Sequence, residues 1–401
     1  MGESEKHVSN VEKVELDIDG EIITIEFFDE DDENDEDEIE YTKIDDYNVS
    51  QQIKEDYRKA IFLYKHSKPE KIKRNDYCYW DYCYAKFDLG ITEPKLYYRE
   101  LLKEGYFEPS KLNDKLSTLK VVELKEILKK HNLTYSGKKD DLINKIIKEI
   151  PTAEINISKE EYYSLSEKGK DFINENINYI ELYNHNSPYL DLEDYCNAIS
   201  NDTYKRSFYD VALEIYNVKI NKYIQKKDYI ALKNCYHHVA NIFKKQNRNK
   251  EALNFYLYHL IYDLSGIYYI VLLSAYEKGA QGNESYYGKY TKDYIMSRLN
   301  YCGVDKFLIS DILNLKKEYN EEMLEKAYKS INLPYNVSSL EYLKSMLDEA
   351  SNSTVFDYKK HKDLLAQRLN DLFLKLMEEI DIKYSKEEKN RKDTKLNNEN
   401  V

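Results

Sequence analysis

The residues whose types and spacing best suit chemistry fall in Ser136-Gly137-Lys138-Lys139, with Lys129, Lys130 and Lys145 nearby. Glycine lets backbone approach an anion closely, and the two lysines beside it add positive charge. A helix starting there would add unpaired N–H groups and the positive end of its dipole. The ligand such a set suits is a phosphate, held without any base being read. Lysine pairs also serve simply to solvate a helix start, so the surrounding elements decide how the pattern is read.

Two helices must position these residues. Val121, Leu124, Ile127 and Leu128 recur at helical spacing, with Glu123, Lys125, Lys129 and Lys130 on the other side. His131-Asn132 breaks the pattern, and Asn tolerates a left-handed helix end. Leu133 and Tyr135 lead to Ser136-Gly137, after which Leu142, Ile143, Ile146, Ile147 and Ile150 mark a second helix that Pro151 stops. Each helix has one apolar stripe, which makes residues 116–151 a self-contained hairpin.

This run resembles the SAP family, a helix–extended loop–helix module that mostly binds DNA and sometimes RNA or protein. The matching residues are Leu124-Lys125, Leu128, Asn132-Leu133, Ser136-Gly137-Lys138-Lys139 and Leu142-Ile143. The chain departs from the pattern at Lys120, where the family often has a hydroxyl cap, and at Asn132, usually Gly. Ser117 or Thr118 is therefore expected to cap the first helix one turn early. The resemblance implies duplex DNA, often AT-rich, approached at the minor groove. Its contacts would come from Lys129, Lys130, Ser136, Gly137, Lys138, Lys139 and Lys145. Residues 116–150 hold eight lysines and five acids, a local charge of +3. Neutralising about three or four phosphates gives a strongly salt-dependent affinity, roughly micromolar or weaker. Such a module tethers, and avidity must come from elsewhere in the chain or from self-association.

The net charge of −14 over 401 residues is unevenly spread. Residues 1–48 carry 20 acids and three bases, a balance of −17, which leaves +3 for residues 49–401. Val14, Leu16 and Ile18 alternate with acids before Asp19-Gly20, a strong hairpin signal. A two-residue loop sets Leu16 opposite Ile23 and Val14 opposite Ile25. Asp29 to Glu38 has nine acids in ten residues and is expected to be solvated and disordered. We read it as a solubilising linker in preference to a nucleic-acid mimic that competes for a basic surface.

The remainder reads as helical. Asn48 to Tyr64 is one helix candidate and Lys68 to Arg74 a basic turn. The aromatics Tyr77, Tyr79, Trp80, Tyr82, Tyr84 and Phe87 read as core in preference to a platform for stacking single strands. Ser158-Lys159-Glu160-Glu161 is a capping-box start, and Tyr162 to Lys170 is followed by a helix expected through Tyr183. Phe87–Tyr106, the SAP-like run and Tyr162–Lys170 together resemble an arrangement in uncharacterised SAP-bearing proteins of low-GC Gram-positive bacteria and their phages. From Leu190 to Glu379 apolar residues recur at spacings of three and four. Tyr236, Val239, Ala240, Phe243, Ala252 and Tyr256 resemble one tetratricopeptide unit turning at Gln246–Asn249. No second copy follows at a period of about 34 residues, so a compact and a solenoid-like domain both stay open. Ser385 to Val401, nearly all Lys, Glu, Asn and Asp, is expected to be a disordered tail.

There is no G-x-S-x-G elbow, phosphate-cradling G-x-x-x-x-G-K, H-E-x-x-H or dinucleotide fingerprint. Glu123-Leu-Lys125 has the ending of a nuclease motif, without a preceding acidic strand. The five cysteines are scattered, no zinc spacing occurs, and adjacent His237 and His238 point to different sides of a helix. No window approaches the roughly 18 uncharged apolar residues of a membrane span, Ile267 to Ala275 reading as a buried helix. Met1 to Asn10 lacks the apolar core of a secretory signal.

The expectation is a mainly α, multidomain helical protein. It comprises a β-hairpin leader (1–28), an acidic linker (29–48), an irregular helical domain (49–112), a SAP-like hairpin (113–151), a larger helical domain (152–384) and a tail (385–401). It is expected to be a non-catalytic, cytoplasmic accessory protein without cofactor, metal or membrane. Its partners would be duplex DNA or RNA and a further protein, with nucleoid association if DNA is bound. The alternatives are a protein-interaction adaptor that binds no nucleic acid, and a phage or mobile-element component.

Overall fold

The computed structural model describes residues 11–18, 21–28, 44–71, 83–155, 162–281, 288–300, 302–352 and 356–399. The acidic run, the capping box at Ser158–Glu161 and the aromatics from Tyr77 to Tyr82 lie outside them. The protein is mainly α.

Two strands come first, β1 (Val11–Ile18) and β2 (Glu21–Phe28). They pair antiparallel with Leu16 opposite Ile23 and Val14 opposite Ile25. That is the register the alternation sets, because a shift by one residue would turn every apolar side chain to the other face.

The chain divides into two compact units, one formed by residues 36–211 and the other by 212–401 with the leader. The first contains α1 (Gln51–Lys65), β3 (Glu70–Lys71), α2 (Cys83–Phe87), α3 (Pro94–Lys103) and β4 (Phe107–Pro109). Next come α4 (Leu112–Ser117), α5 (Val121–Lys130) and α6 (Lys139–Glu149). Then follow β5 (Tyr162–Leu165), α7 (Glu167–Glu175), α8 (Ile177–His185) and α9 (Leu192–Ile199).

The domain boundary expected at residue 152 is corrected. β5 lies between β3 and β4 in one small antiparallel sheet, with Phe107 opposite Leu165. Leu165, Phe172, Ile173 and Tyr183 share a core with Ile61, Phe62, Leu63, Tyr98 and Leu101. Segments on both sides of the SAP-like hairpin thus build one body, and the hairpin is an insertion between β4 and β5. Tyr84 packs against this core as expected, whereas Phe87 is 42% exposed. Tyr162 to Leu165 is strand, and the helix expected after Lys170 is instead two: α7 starts earlier, at Glu167, capped by the Ser166 hydroxyl accepting from Gly169 N–H, and α8 carries Tyr183.

The second unit takes up α10 (Phe208–Lys226) beyond Val211, followed by α11 (Tyr229–Lys245) and α12 (Asn249–Leu264). α11 and α12 pair closely and bury Tyr236, Val239, Ala240, Phe243, Ala252 and Tyr256. Their turn uses Asn247 at φ 58, with Arg248 N–H donating to the Phe243 carbonyl and its guanidinium 4.3 Å from the Phe243 ring. After Gly266 at φ 79 come α13 (Ile270–Ala280), α14 (Lys292–Leu299), α15 (Lys306–Asn314), α16 (Glu321–Ser330) and α17 (Leu340–Asn352). The last helix is α18 (Tyr358–Glu399). It buries Leu365, Leu369, Phe373, Met377 and Ile380, a stripe at spacings of four and three.

α18 continues to Glu399, through most of the segment expected to be a disordered tail. The segment from Ser385 has no Gly or Pro. Upstream the helix is anchored by buried Glu277, which accepts from Lys383 Nζ at 3.0 Å and Tyr384 Oη at 2.7 Å. No single described helix is long and apolar enough to cross a membrane, α12 and the segment from Ile267 being separated by a 48° bend.

Candidate nucleic-acid interface

Inside the insertion, α5 and α6 pack on each other and on α4 through Leu116, Leu124, Leu128, Leu142, Ile143, Ile146 and Ile150. Leu112, Leu119, Ile127 and Leu133 close the edges. This core is separate from that of the surrounding sheet and helices.

The start of α5 overturns one expectation. Ser117 Oγ donates to the Asp114 carbonyl at 2.6 Å and Thr118 Oγ1 to the Lys115 carbonyl at 2.8 Å, so both hydroxyls close α4. The α5 cap comes from inside the helix, where Glu123 reaches back to accept from Lys120 N–H at 2.6 Å. This is the carboxylate half of a capping box, and it needs no hydroxyl at the cap position. The same device starts α4 (Asp114 to Lys111 N–H, 3.3 Å) and α6 (Asp141 to Lys138 N–H, 3.0 Å).

α5 ends as its sequence requires. Asn132 sits at φ 55, Leu133 N–H donates to the Leu128 carbonyl and Asn132 N–H to the Lys129 carbonyl. That paired pattern is the Schellman ending, with Asn in the place Gly usually takes. The loop then crosses to α6 through Gly137 at φ 127. A Cβ on Gly137 would meet the Asp141 Cβ at 3.0 Å and its Oδ2 at 3.2 Å, so glycine also makes room for the folded-back cap.

The seven lysine, serine and glycine positions do not behave alike. Lys129 and Lys130 are exposed in the last turn of α5, and Ser136, Gly137 and Lys138 are exposed before α6. The ammonium groups of Lys129, Lys130 and Lys138 have no ion-pair partner among the described residues. Lys139 is half-buried and donates to the Ser117 carbonyl at 2.6 Å, which ties α6 to the end of α4. Lys145 donates to Thr134 Oγ1, bracing the loop.

Sequence reading missed Asp140 and Asp141, whose carboxylates stand in the first turn of α6. They already complement its dipole, and Asp141 takes the Lys138 N–H. The spacing Lys138-x-x-Asp141 was the available signal. The positive charge beside the loop therefore comes from the lysine side chains flanking it more than from the helix end. A family model for the SAP domain matches residues 115–150. No curated protein and no solved structure matches the chain. The SAP domain points to nucleic-acid binding in general. Its match falls wholly within the insertion between β4 and β5.

Proposed function

We propose that this is a non-catalytic, nucleic-acid-associated accessory protein whose SAP domain tethers it to duplex DNA. The observation that carries the reading is the placement of Lys129, Lys130 and Lys138, exposed at both ends of the loop joining α5 and α6 in a SAP domain. These three groups contact phosphates, Gly137 and Ser136 let the duplex come close, and Lys139 and Lys145 hold the loop in shape. With so few contacts the tether is weak, and the paired helices of residues 212–401 hold a protein partner or a second copy. Fluorescence anisotropy of the full chain on an AT-rich duplex across a salt series tests this. Each neutralised phosphate contributes a slope of about −0.9 in log K against log salt. Charge reversal at Lys129, Lys130 and Lys138 together is expected to abolish binding, and unchanged binding would reject the reading.

The balance of only +3 over residues 49–401 supports a second reading, a protein-interaction adaptor with the SAP domain as docking element. The tetratricopeptide-like pair α11–α12 would then form its groove. No duplex binding by the full chain even at low salt, with a protein co-purifying after nuclease treatment, would favour it.

A further inference from the structure

In the first unit, away from the SAP residues, a cavity of about 400 Å³ opens between α8, α9 and the loop that follows α9. Its volume falls in the range of small-ligand sites, roughly 300–1,000 Å³. Tyr179 and Tyr195 form part of its wall, and Tyr204, Lys205 and Arg206 line it from the loop. Burial raises the hydroxyl pKa of both wall tyrosines, so they are neutral, flat surfaces at any physiological pH.

The loop is fixed before any ligand arrives. Asn178 donates to Tyr195 Oη and to the Arg206 carbonyl, each at 2.8 Å, and accepts from Phe208 N–H at 3.1 Å. Arg206 Nε donates to Asp202 at 2.7 Å, and Lys205 Nζ donates to the Glu175 carbonyl. Tyr204, between these pinned residues, is nevertheless 71% exposed. A large ring thus stands in solvent on a braced loop that lines the cavity. Lys205 and Arg206 follow it directly, and Glu175 and Asp202 line the same cavity, so charges of both signs stand beside the aromatic face.

We propose that this cavity takes an unpaired base of a single-stranded nucleic acid, stacked on Tyr204, with the adjoining phosphate beside Lys205 and Arg206. An aromatic face beside cationic groups suits single strands because every base has a π-face, whereas paired bases in a duplex are already stacked. The inference goes beyond the SAP tether, which addresses the duplex backbone, and adds a second contact in the same chain. Two weak contacts on one nucleic acid bind more tightly than either alone.

The test uses the full chain and two fluorescein-labelled probes, a short oligothymidylate and an AT-rich duplex. Tyr204→Ala is expected to weaken oligothymidylate binding about tenfold, the scale of one lost stacking contact, while Tyr204→Phe keeps it. Duplex binding is expected to be unchanged in both variants. Because Tyr204 is exposed, both variants should keep the wild-type circular dichroism and melting temperature. The triple charge reversal at Lys129, Lys130 and Lys138 separates the two sites: it removes duplex binding and leaves the Tyr204-dependent oligothymidylate contact. The proposal is overturned if the wild type does not bind oligothymidylate at low salt, if Tyr204→Ala binds it like wild type, or if Tyr204→Phe loses as much as Tyr204→Ala.

Discussion

The backbone of Gly169 sits so close to the Tyr106 carbonyl oxygen that a Cβ at 169 would lie 2.4 Å from it. These residues flank the SAP insertion. The seam between them is closed further by Ser166 N–H donating to the Tyr106 carbonyl at 3.0 Å and Ser166 Oγ to the Gly105 carbonyl at 2.6 Å. A SAP domain inserted between paired strands is held at both ends, so the strand pair and this seam fix where it leaves and rejoins the body.

Gly169→Ala tests the seam. In an open helix the change would stabilise by about 1 kcal/mol through propensity. Here the obstacle is backbone, which cannot turn aside as a side chain can, and overpacking costs about 1–3 kcal/mol. The expected sum is a net loss of stability. A urea midpoint at or above that of wild type would show that the seam yields.

Lys138 and Lys139 are adjacent and are expected to separate cleanly. Lys139→Ala removes the hydrogen bond to the Ser117 carbonyl and should destabilise by about 1–2 kcal/mol. Lys138→Ala changes an exposed side chain and should stay within about 0.5 kcal/mol. Duplex affinity should respond in the opposite order once measured on folded protein. Equal effects of the two variants on thermal stability would contradict the assignment.

Asp141 holds the α6 cap while opposing an incoming phosphate. Asp141→Asn keeps a side-chain acceptor for Lys138 N–H and removes the charge. A nearby charge of this kind is worth about 0.3–1 kcal/mol, so duplex binding should tighten about two- to fivefold. Anisotropy at low salt would read this directly, and weaker binding would mean that the carboxylate does more than cap.

Three histidines lie together between α11 and α12. The His237 and His259 rings are 5.0 Å apart, and His238 stacks on Tyr216 at 5.9 Å. Burial, then His237 and His259, push His238 down to about 4, and burial likewise lowers His237 and His259. A folded-state value below the ordinary 6.5 means that protonation favours unfolding. The neutral cluster's contribution is therefore complete above about pH 6.5 and is lost as the pH falls toward 4. Melting temperatures followed by circular dichroism should drop across that window, and His238→Phe should flatten the drop. A parallel profile in the variant would remove His238 from the explanation.

Much of the local architecture was legible because it rests on neighbours in sequence. Alternation set the β1–β2 register, and Asn132 ended α5 because few other residues accept φ 55. The SAP core was equally plain, since Leu124, Leu128, Leu142 and Ile146 mark their buried faces by periodicity. The cap of α5 was misassigned because a hydroxyl search overlooks carboxylates that reach back three residues, as Glu123 does.

What sequence alone determined was the SAP domain and the kinds of residues around its loop, because short helices and their endings follow from local steric and hydrogen-bonding rules. Tertiary structure decided which lysine does what. Lys138 and Lys139 are indistinguishable by composition, and they part because the Ser117 carbonyl, 22 residues from Lys139, falls within reach of one ammonium and not the other. The same holds for the insertion itself. Phe107 and Leu165 belong to strands of three and four residues, too short to announce a pairing across an intervening domain. Long-range pairings of that kind depend on closing a loop and burying a shared core, and no local pattern records them.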